Sequence, residues 1–370
     1  MPGITVLALN SIPTTLRHLG TDKAKGTVTG GSYSAGAFES FDRSVELQVE
    51  NCKFKYLYGS GYNTGVTGSV VLRLSGSESE IASVVPAPLM LNNGALDAGS
   101  LTVEIDGVST ELPLETYVEG VVAAEIPNDF PDAALRAQAV AARTYAVYKL
   151  SRGRPDAHPD ADVCDDFHHC AAYRDPAAQT AGGGDYRRVR QAVRDTAGEI
   201  LTYDHAPVAA VFHCVSGPRT ESAADVWGED IPYLQSVTSP GGSAYSGYEA
   251  AVTLSAGEFR SKAAQAFPSS NLSNAPEDWF KASQRSAAGG ILSVELGGVR
   301  VKGTAVREAF GLQSTNFTIL TTENSITFHT IGYGHGVGLS QYGAKYLAEQ
   351  GAHYEQILTH YYPGAVLQTL

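Results

Sequence analysis

One carboxylate stands out by its neighbours. In VVAAEIPNDF, Val121 to Phe130, Glu125 closes a run of Val121, Val122, Ala123 and Ala124, and Pro127 follows Ile126. A carboxyl held among apolar groups is harder to ionise, so its pKa rises. A raised pKa suits an acid that protonates a leaving oxygen near neutral pH, as glycoside cleavage requires. A salt bridge or a helix cap is the ordinary role of a glutamate, and on composition alone it is the favoured one. A second group is His158, Cys164, His169 and Cys170, spaced H-x5-C-x4-H-C. Two thiolates and two imidazoles suit a tetrahedral zinc ion, and a ligand set without a carboxylate suits a closed, structural site. A Cys164–Cys170 disulfide competes with it but leaves the histidines unexplained. His168 is an alternative ligand to His169.

Two further stretches gather polar groups. HCVSGPRTESAADVWGEDIPYL, His213 to Leu234, carries Ser216, Gly217, Arg219, Thr220 and Trp227. An indole can stack on a sugar ring, although a tryptophan is more often core or rim. Ser216 and His213 lack a nucleophile-elbow pattern, which argues against a serine hydrolase. GYGHGVGLSQYGA, Gly332 to Ala344, sets His335 between glycines and follows with Ser340, Gln341 and Tyr342. Its glycines allow close backbone approach. No Lys-Ser/Thr follows, so a phosphate cradle is excluded.

The elements that must position these groups alternate in kind. Up to about residue 110, SVELQVE, SVVLRLS and LTVEID alternate apolar and polar residues between Gly- and Ser-rich turns, which predicts strands. From Leu112, LPLETYVEGVVAAEI has helical apolar spacing and stops at Pro127. A second helix restarts at Pro131 and Asp132, and its Arg136 and Arg143, two turns apart, share a face. Residues 153–173 read as a loop. A helix near Tyr186 to Ala197 and strands EILTYD and VAAVFHC follow. Residues of about 250–325 read as an inserted α+β subdomain. A strand, SITFHTIG, and two helices close the chain. The predicted fold class is α+β: a helical catalytic core (111–370) with β-strand extensions, and an N-terminal β-rich domain (1–110).

The 370 residues have a formal net charge of -13, 43% hydrophobic and 18% charged residues. That balance argues against nucleic acid, whose phosphates attract Lys and Arg. No stretch is long and apolar enough to span a membrane, and the N-terminus lacks the layout of a signal peptide. The four cysteines are too few for a disulfide-dense scaffold.

LETYVEGVVAAEIPNDFPDAALRAQAVAARTYA, VFHCVSGPRTESAADVWGEDIPYLQSV, GTAVREAFGLQSTNFTI and GYGHGVGLSQYGAKYLAEQG together resemble the SpoIID/LytB family of stage II sporulation protein D and amidase-enhancer proteins. The resemblance runs in order from about Leu112 to Gly364. It implies a lytic transglycosylase that cuts the β-1,4 bond between N-acetylmuramic acid and N-acetylglucosamine, leaving a 1,6-anhydro end. It places the catalytic acid on Glu125, the family's basic residues on Arg136 and Arg143, and a zinc site on His158, Cys164, His169 and Cys170. It also implies peptidoglycan strands as substrate, a cell-wall amidase as a candidate partner, and an extracytoplasmic location. Ser216, Trp227, His335, Gln341 and Tyr342 are candidate groove residues. The chain departs from the family at Cys214-Val215-Ser216-Gly217-Pro218, where Ser-Thr-Ser-Gly-Gly is usual, and at Arg136, where Lys is common. Cys214 is thereby brought toward the groove, with Cys52 as a candidate disulfide partner.

A hydrolytic glycosidase needs two carboxylates. A lytic transglycosylase needs one, because the substrate's C6 hydroxyl attacks C1. Three alternatives remain: a non-enzymatic wall-binding amidase enhancer, a hydrolase with Asp129 or Asp132 as second acid, and a zinc hydrolase.

Overall fold

The computed structural model describes residues 99–176, 186–204 and 206–370, and of residues 1–98 only the backbone of assigned strands. The chain is α+β. Two predicted N-terminal strands fall on Val45–Tyr58 and Val70–Ser75, which pair in parallel. Cys52 has no described side chain, so its proposed pairing with Cys214 lies outside the described residues.

Ser100–Ile105 and Val108–Pro113 form a hairpin that leads directly into helix α1, Leu114–Glu125. The helix starts two residues later than its apolar spacing predicts, because Leu112 and Pro113 complete the hairpin. It ends at Glu125, and Ile126 is extended with its N–H on Val122 O at 3.2 Å. A residue before proline disfavours the helical region, so Pro127 sets this boundary. Helix α2, Asp132–Arg152, follows and packs against α1, α3 (Arg187–Asp195), strand Glu199–Tyr203, α7 (Gln341–Glu349) and α8 (Tyr354–Tyr361). Its alanines at 134, 137, 139, 141, 142 and 146 are all buried. Small side chains let that many neighbours approach one helix closely.

The loop after α2 is tied down at both ends. Val163–Cys164 adds in parallel to Ser100–Ile105, pairing Val103 with Val163 and Glu104 with Cys164. Farther on, Arg174 N donates to Gly120 O at 3.2 Å. Gly120 lacks a side chain for a steric reason: a Cβ there would lie 2.2 Å from the Tyr173 ring.

The stretch 208–214 forms less strand than its apolar run predicts. Only Phe212–His213 is assigned, paired in parallel with Leu339–Ser340, while the backbone around Val208–Val211 bonds to Leu201 and into tight local turns. A second apolar core, with Phe259, Trp279, Phe310, Phe317 and Phe328 at its centre, lies wholly within residues 259–328. It is framed by strands Glu249–Ser255, Ser325–Ile331 and Phe317–Thr321, by a second sheet of Phe280–Arg285, Ile291–Leu296 and Val299–Lys302, and by helices α5 (Ala256–Ala266) and α6 (Gly303–Phe310). No helix among the described residues is long and apolar enough to cross a membrane.

Candidate active site and metal-binding cluster

Glu125 sits at the last position of α1, half-buried, with a donor on each oxygen. Ala172 N–H reaches Oε1 at 3.0 Å and Gln341 Nε2 reaches Oε2 at 3.0 Å. Burial raises its pKa, and these two hydrogen bonds oppose the rise. Both donors are neutral, so neither forces ionisation as an adjacent cation would. The surroundings are aromatic and thiol. Tyr342 meets Phe130 edge-on at 5.2 Å and Tyr245 at 4.8 Å. The free Cys214 thiol is bonded to the Tyr245 hydroxyl, and burial pushes its pKa up to about 11, with Glu125 adding to the rise. The structure thus brings Gln341 onto Glu125 and packs Tyr342 in the same wall.

Several expected site residues lie elsewhere. Arg143 is fully buried and bidentate to Glu115, with Nε on Oε1 and Nη2 on Oε2 at 2.7 Å each, and it also donates to the Glu199 and Val193 carbonyls. It is a core clamp between α1, α2 and α3, closed to any glycan. Arg136 pairs with Asp195 on α3. In this structure the carboxylate partners of the two arginines lie on α1 and α3, at Glu115 and Asp195. His335 is also committed to the backbone: Nε2 donates to Phe212 O at 2.9 Å and Nδ1 accepts from Val337 N–H at 3.1 Å. Burial lowers its pKa to about 4, so the neutral ring pins the glycine-rich segment instead of reaching a ligand. Ser216 is buried with its hydroxyl unpartnered, and His213 Nε2 has no partner either, so the two do not form a nucleophile pair. Trp227 is exposed at a cleft and leans on His335 at 5.4 Å. Asp132 is taken by Arg188 at 2.6 Å, which removes it as a free second acid.

The Cys/His residues converge. His158, Cys164, His169 and Cys170 place their ligand atoms within 4.8 Å of one another and could hold a metal ion. His158 Nε2 lies 3.1 Å from His169 Nδ1, and Cys170 Sγ lies 3.4 and 3.3 Å from those nitrogens. Cys164 Sγ lies 3.6 Å from His169 Nδ1. Roughly 3.3–3.8 Å is the edge of a tetrahedron built with zinc's ordinary bonds to nitrogen and sulfur. His158 Nδ1 faces Ala161 O at 2.8 Å, which fixes the proton there and leaves Nε2 free to ligate. Both thiols are free, so the disulfide alternative is not formed. His168 turns outward onto Asp166 at 3.0 Å, leaving His169 as the ligand.

Sequence reading misses three participants. The Ala172 N–H has no residue-type signal, although it lies two positions beyond Cys170. Tyr245 lies in no recognisable motif. Tyr117 is fully buried with an unpartnered hydroxyl, and burial, then Cys170, Tyr145, Cys164 and Glu125, hold its phenol well above the ordinary range. Its apolar helical spacing could have marked it as core, but not as a ring near both the acid and the thiols.

Residues 106–203 match the model of the stage II sporulation protein family, a span that contains Glu125 and the whole Cys/His cluster. Stage II sporulation protein D of Bacillus subtilis strain 168 is 33% identical over 296 residues, covering 78% of this chain and 84% of that protein. The chain belongs to the stage II sporulation protein D family. Stage II sporulation protein D of Bacillus amyloliquefaciens is 37% identical over 68% of this chain and 73% of that protein. The amidase enhancer of Bacillus subtilis is similar at 27% identity, over 68% of this chain but 40% of that larger protein. Membership ties the chain to sporulation and cell-wall proteins.

Proposed function

We propose that this protein is a lytic transglycosylase of peptidoglycan, with Glu125 as its acid and then its base. The carrying observation is the Glu125 carboxyl, made hard to ionise by burial and held on both oxygens by neutral donors. Protonated Glu125 gives its proton to the bridging oxygen as the bond from muramic acid C1 breaks. The C6 hydroxyl of the same sugar then bonds to C1 and returns its proton to Glu125. The products are a free 4-hydroxyl and a 1,6-anhydro end, and no water is consumed. One acid suffices because the sugar supplies its own nucleophile. Asp132 is already paired and Arg136 and Arg143 face elsewhere, so charged assistance from α2 does not enter this scheme. Tyr342 and Tyr245 offer aromatic faces for sugar rings beside Glu125, and Trp227 offers another at a separate cleft.

The donor set of the Cys/His cluster fits zinc, held by His158 Nε2, His169 Nδ1 and the Cys164 and Cys170 thiolates. With four protein ligands the ion would be structural and would have no open position for activating water. Its service would be to fix the loop that delivers Ala172 N–H to Glu125. A reaction on glycan strands implies an extracytoplasmic location. The likeness to the amidase enhancer supports a second reading, in which the groove holds the wall and stimulates a partner amidase. Product analysis separates the two. On purified glycan strands, mass spectrometry of the wild type should show anhydro-ended fragments, and Glu125→Gln should lower cleavage by about 100-fold or more. Products heavier by one water, or turnover retained by Glu125→Gln, overturn the proposal.

A further inference from the structure

One hydroxyl in the wall beside Glu125 has a fixed direction. Cys214 opens the segment between strand Phe212–His213 and helix α4, Ala223–Trp227. Its carbonyl accepts from Tyr342 N–H at 3.1 Å, and the residue before Tyr342, Gln341, reaches Glu125 at 3.0 Å. The Cys214 thiol feels the Glu125 charge and takes a hydrogen bond from the Tyr245 hydroxyl. Tyr245 belongs to a separate loop that packs tightly through glycines. A Cβ on Gly241 would lie 2.3 Å from Tyr346 of α7, and one on Gly247 would lie 2.8 Å from the Tyr245 ring. The Tyr245 ring leans on Tyr342 at 4.8 Å and stays partly exposed.

A phenol O–H is a better donor than a thiol, whose sulfur accepts only weakly. The Tyr245 proton is committed to Cys214, so the phenol oxygen keeps its lone pairs for another donor. Burial holds the thiol protonated at neutral pH, which leaves sulfur as an uncharged, soft, apolar surface. The charged groups that act on Tyr342 are Lys345 of α7 and Asp129 of the α1–α2 loop; they have opposite signs, and Lys345 is paired with Glu349. Three features thus meet beside Glu125: an oxygen that can only accept, a neutral thiol and an aromatic ring. A secondary amide ending in a methyl group matches all three, with its N–H on the oxygen and its methyl against sulfur and ring. A sugar hydroxyl matches the oxygen alone.

We infer that Tyr245, anchored by Cys214, binds the 2-acetamido group of the amino sugar at Glu125 and so selects N-acetylated glycan over de-N-acetylated glycan. The choice of an amino-sugar strand as ligand rests on the glycan reading above. A second effect works in the same direction. Removing the acetyl group leaves an ammonium beside Glu125, and a nearby cation lowers the pKa of a carboxyl that the proposed chemistry needs protonated. The acetyl group keeps the substrate uncharged at the acid, as the donors on Glu125 are.

The test is calorimetric binding to the full chain carrying Glu125→Gln, which keeps cleavage out of the measurement. The ligands are peptide-free glycan strands and the same strands after enzymatic de-N-acetylation. High salt screens the attraction between cationic strands and a chain of net charge -13. Acetylated strands should bind at least about threefold more tightly, the lower range for one neutral hydrogen bond. Tyr245→Phe keeps the ring and removes only the oxygen, so it should weaken acetylated strands by about three- to tenfold and cost de-N-acetylated strands less. Cys214→Ala should act in the same selective way by releasing the phenol, and Cys214→Ser, which restores an acceptor, should recover most of the loss. Comparable binding of the two strands before Tyr245 is changed, no loss in Tyr245→Phe, or a loss as large on de-N-acetylated strands overturns the inference. Anhydro-end analysis of the wild type is independent of this titration, so either can fail while the other stands.

Discussion

Replacing Gln341 by leucine removes the side-chain donor that faces Glu125 Oε2 at 3.0 Å and leaves the Ala172 N–H in place. The lost bond stabilises the ionised carboxyl more than the neutral acid. Hydrogen bonds to charged groups contribute ~1.5–3 kcal/mol. Each 1.36 kcal/mol corresponds to about one pH unit of titration, and partial replacement by water places the effect near the lower limit, about one unit. The direction is upward, because losing a bond to the charged form favours the proton. In the proposed mechanism Glu125 must be protonated to cleave, so activity is expected to fall as pH rises through its pKa. The alkaline limb of kcat/KM for glycan cleavage should therefore move up by about one pH unit in Gln341→Leu, whatever happens to the plateau. The same linkage appears in stability. A carboxyl whose folded pKa lies above its unfolded value costs stability once pH exceeds the unfolded value, and raising the folded pKa further deepens that cost. Denaturant titrations should show a loss of about 1–2 kcal/mol attributable to Glu125 at alkaline pH, fading as pH falls below the ordinary glutamate range. An alkaline limb that stays put or moves down would refute the claim that Gln341 holds the working carboxyl.

Other perturbations follow from the same geometry. Arg143→Met leaves Glu115 without its bidentate partner, and the resulting loss of about 3 kcal/mol should be read by urea denaturation, since removing one side of a buried pair costs ~3–5 kcal/mol and Glu115 is partly exposed. Gly120→Ala drives a methyl to 2.2 Å from the Tyr173 ring and should cost ~1–3 kcal/mol by overpacking, with cleavage falling because the loop carrying Ala172 must shift. One zinc per chain is expected by elemental analysis, and chelation or Cys170→Ser should lower the Tm; purified protein without bound metal would contradict the structural-zinc reading.

The parts of the fold that read out of the sequence are those with a strong period or a hard stop. Pro127 marks the end of α1 because proline excludes helix in its neighbourhood, and the alternation at Ser69 and Leu101 matches strands Val70–Ser75 and Ser100–Ile105. The convergence of the Cys/His cluster was legible because thiolates and imidazoles at short spacing have few other uses. The partners of Arg136 and Arg143 were not legible, for an identifiable reason. Spacing says that two residues share a face, while tertiary packing decides what that face meets, and here it meets α1 and α3. His335 looked free because glycines flank it, yet those glycines let the backbone close around the ring and use both nitrogens.

The position of Glu125 at the final residue of α1 has an electrostatic consequence of its own. The peptide dipoles of a helix add head to tail and leave about half a negative charge at its C-terminus. No basic residue occupies the last turn of α1 to compensate. A carboxylate formed there faces the helix's own field, which favours the proton without any acidic neighbour. By ending the helix where it does, Pro127 assigns the acid to the one end of α1 where backbone geometry alone resists ionisation.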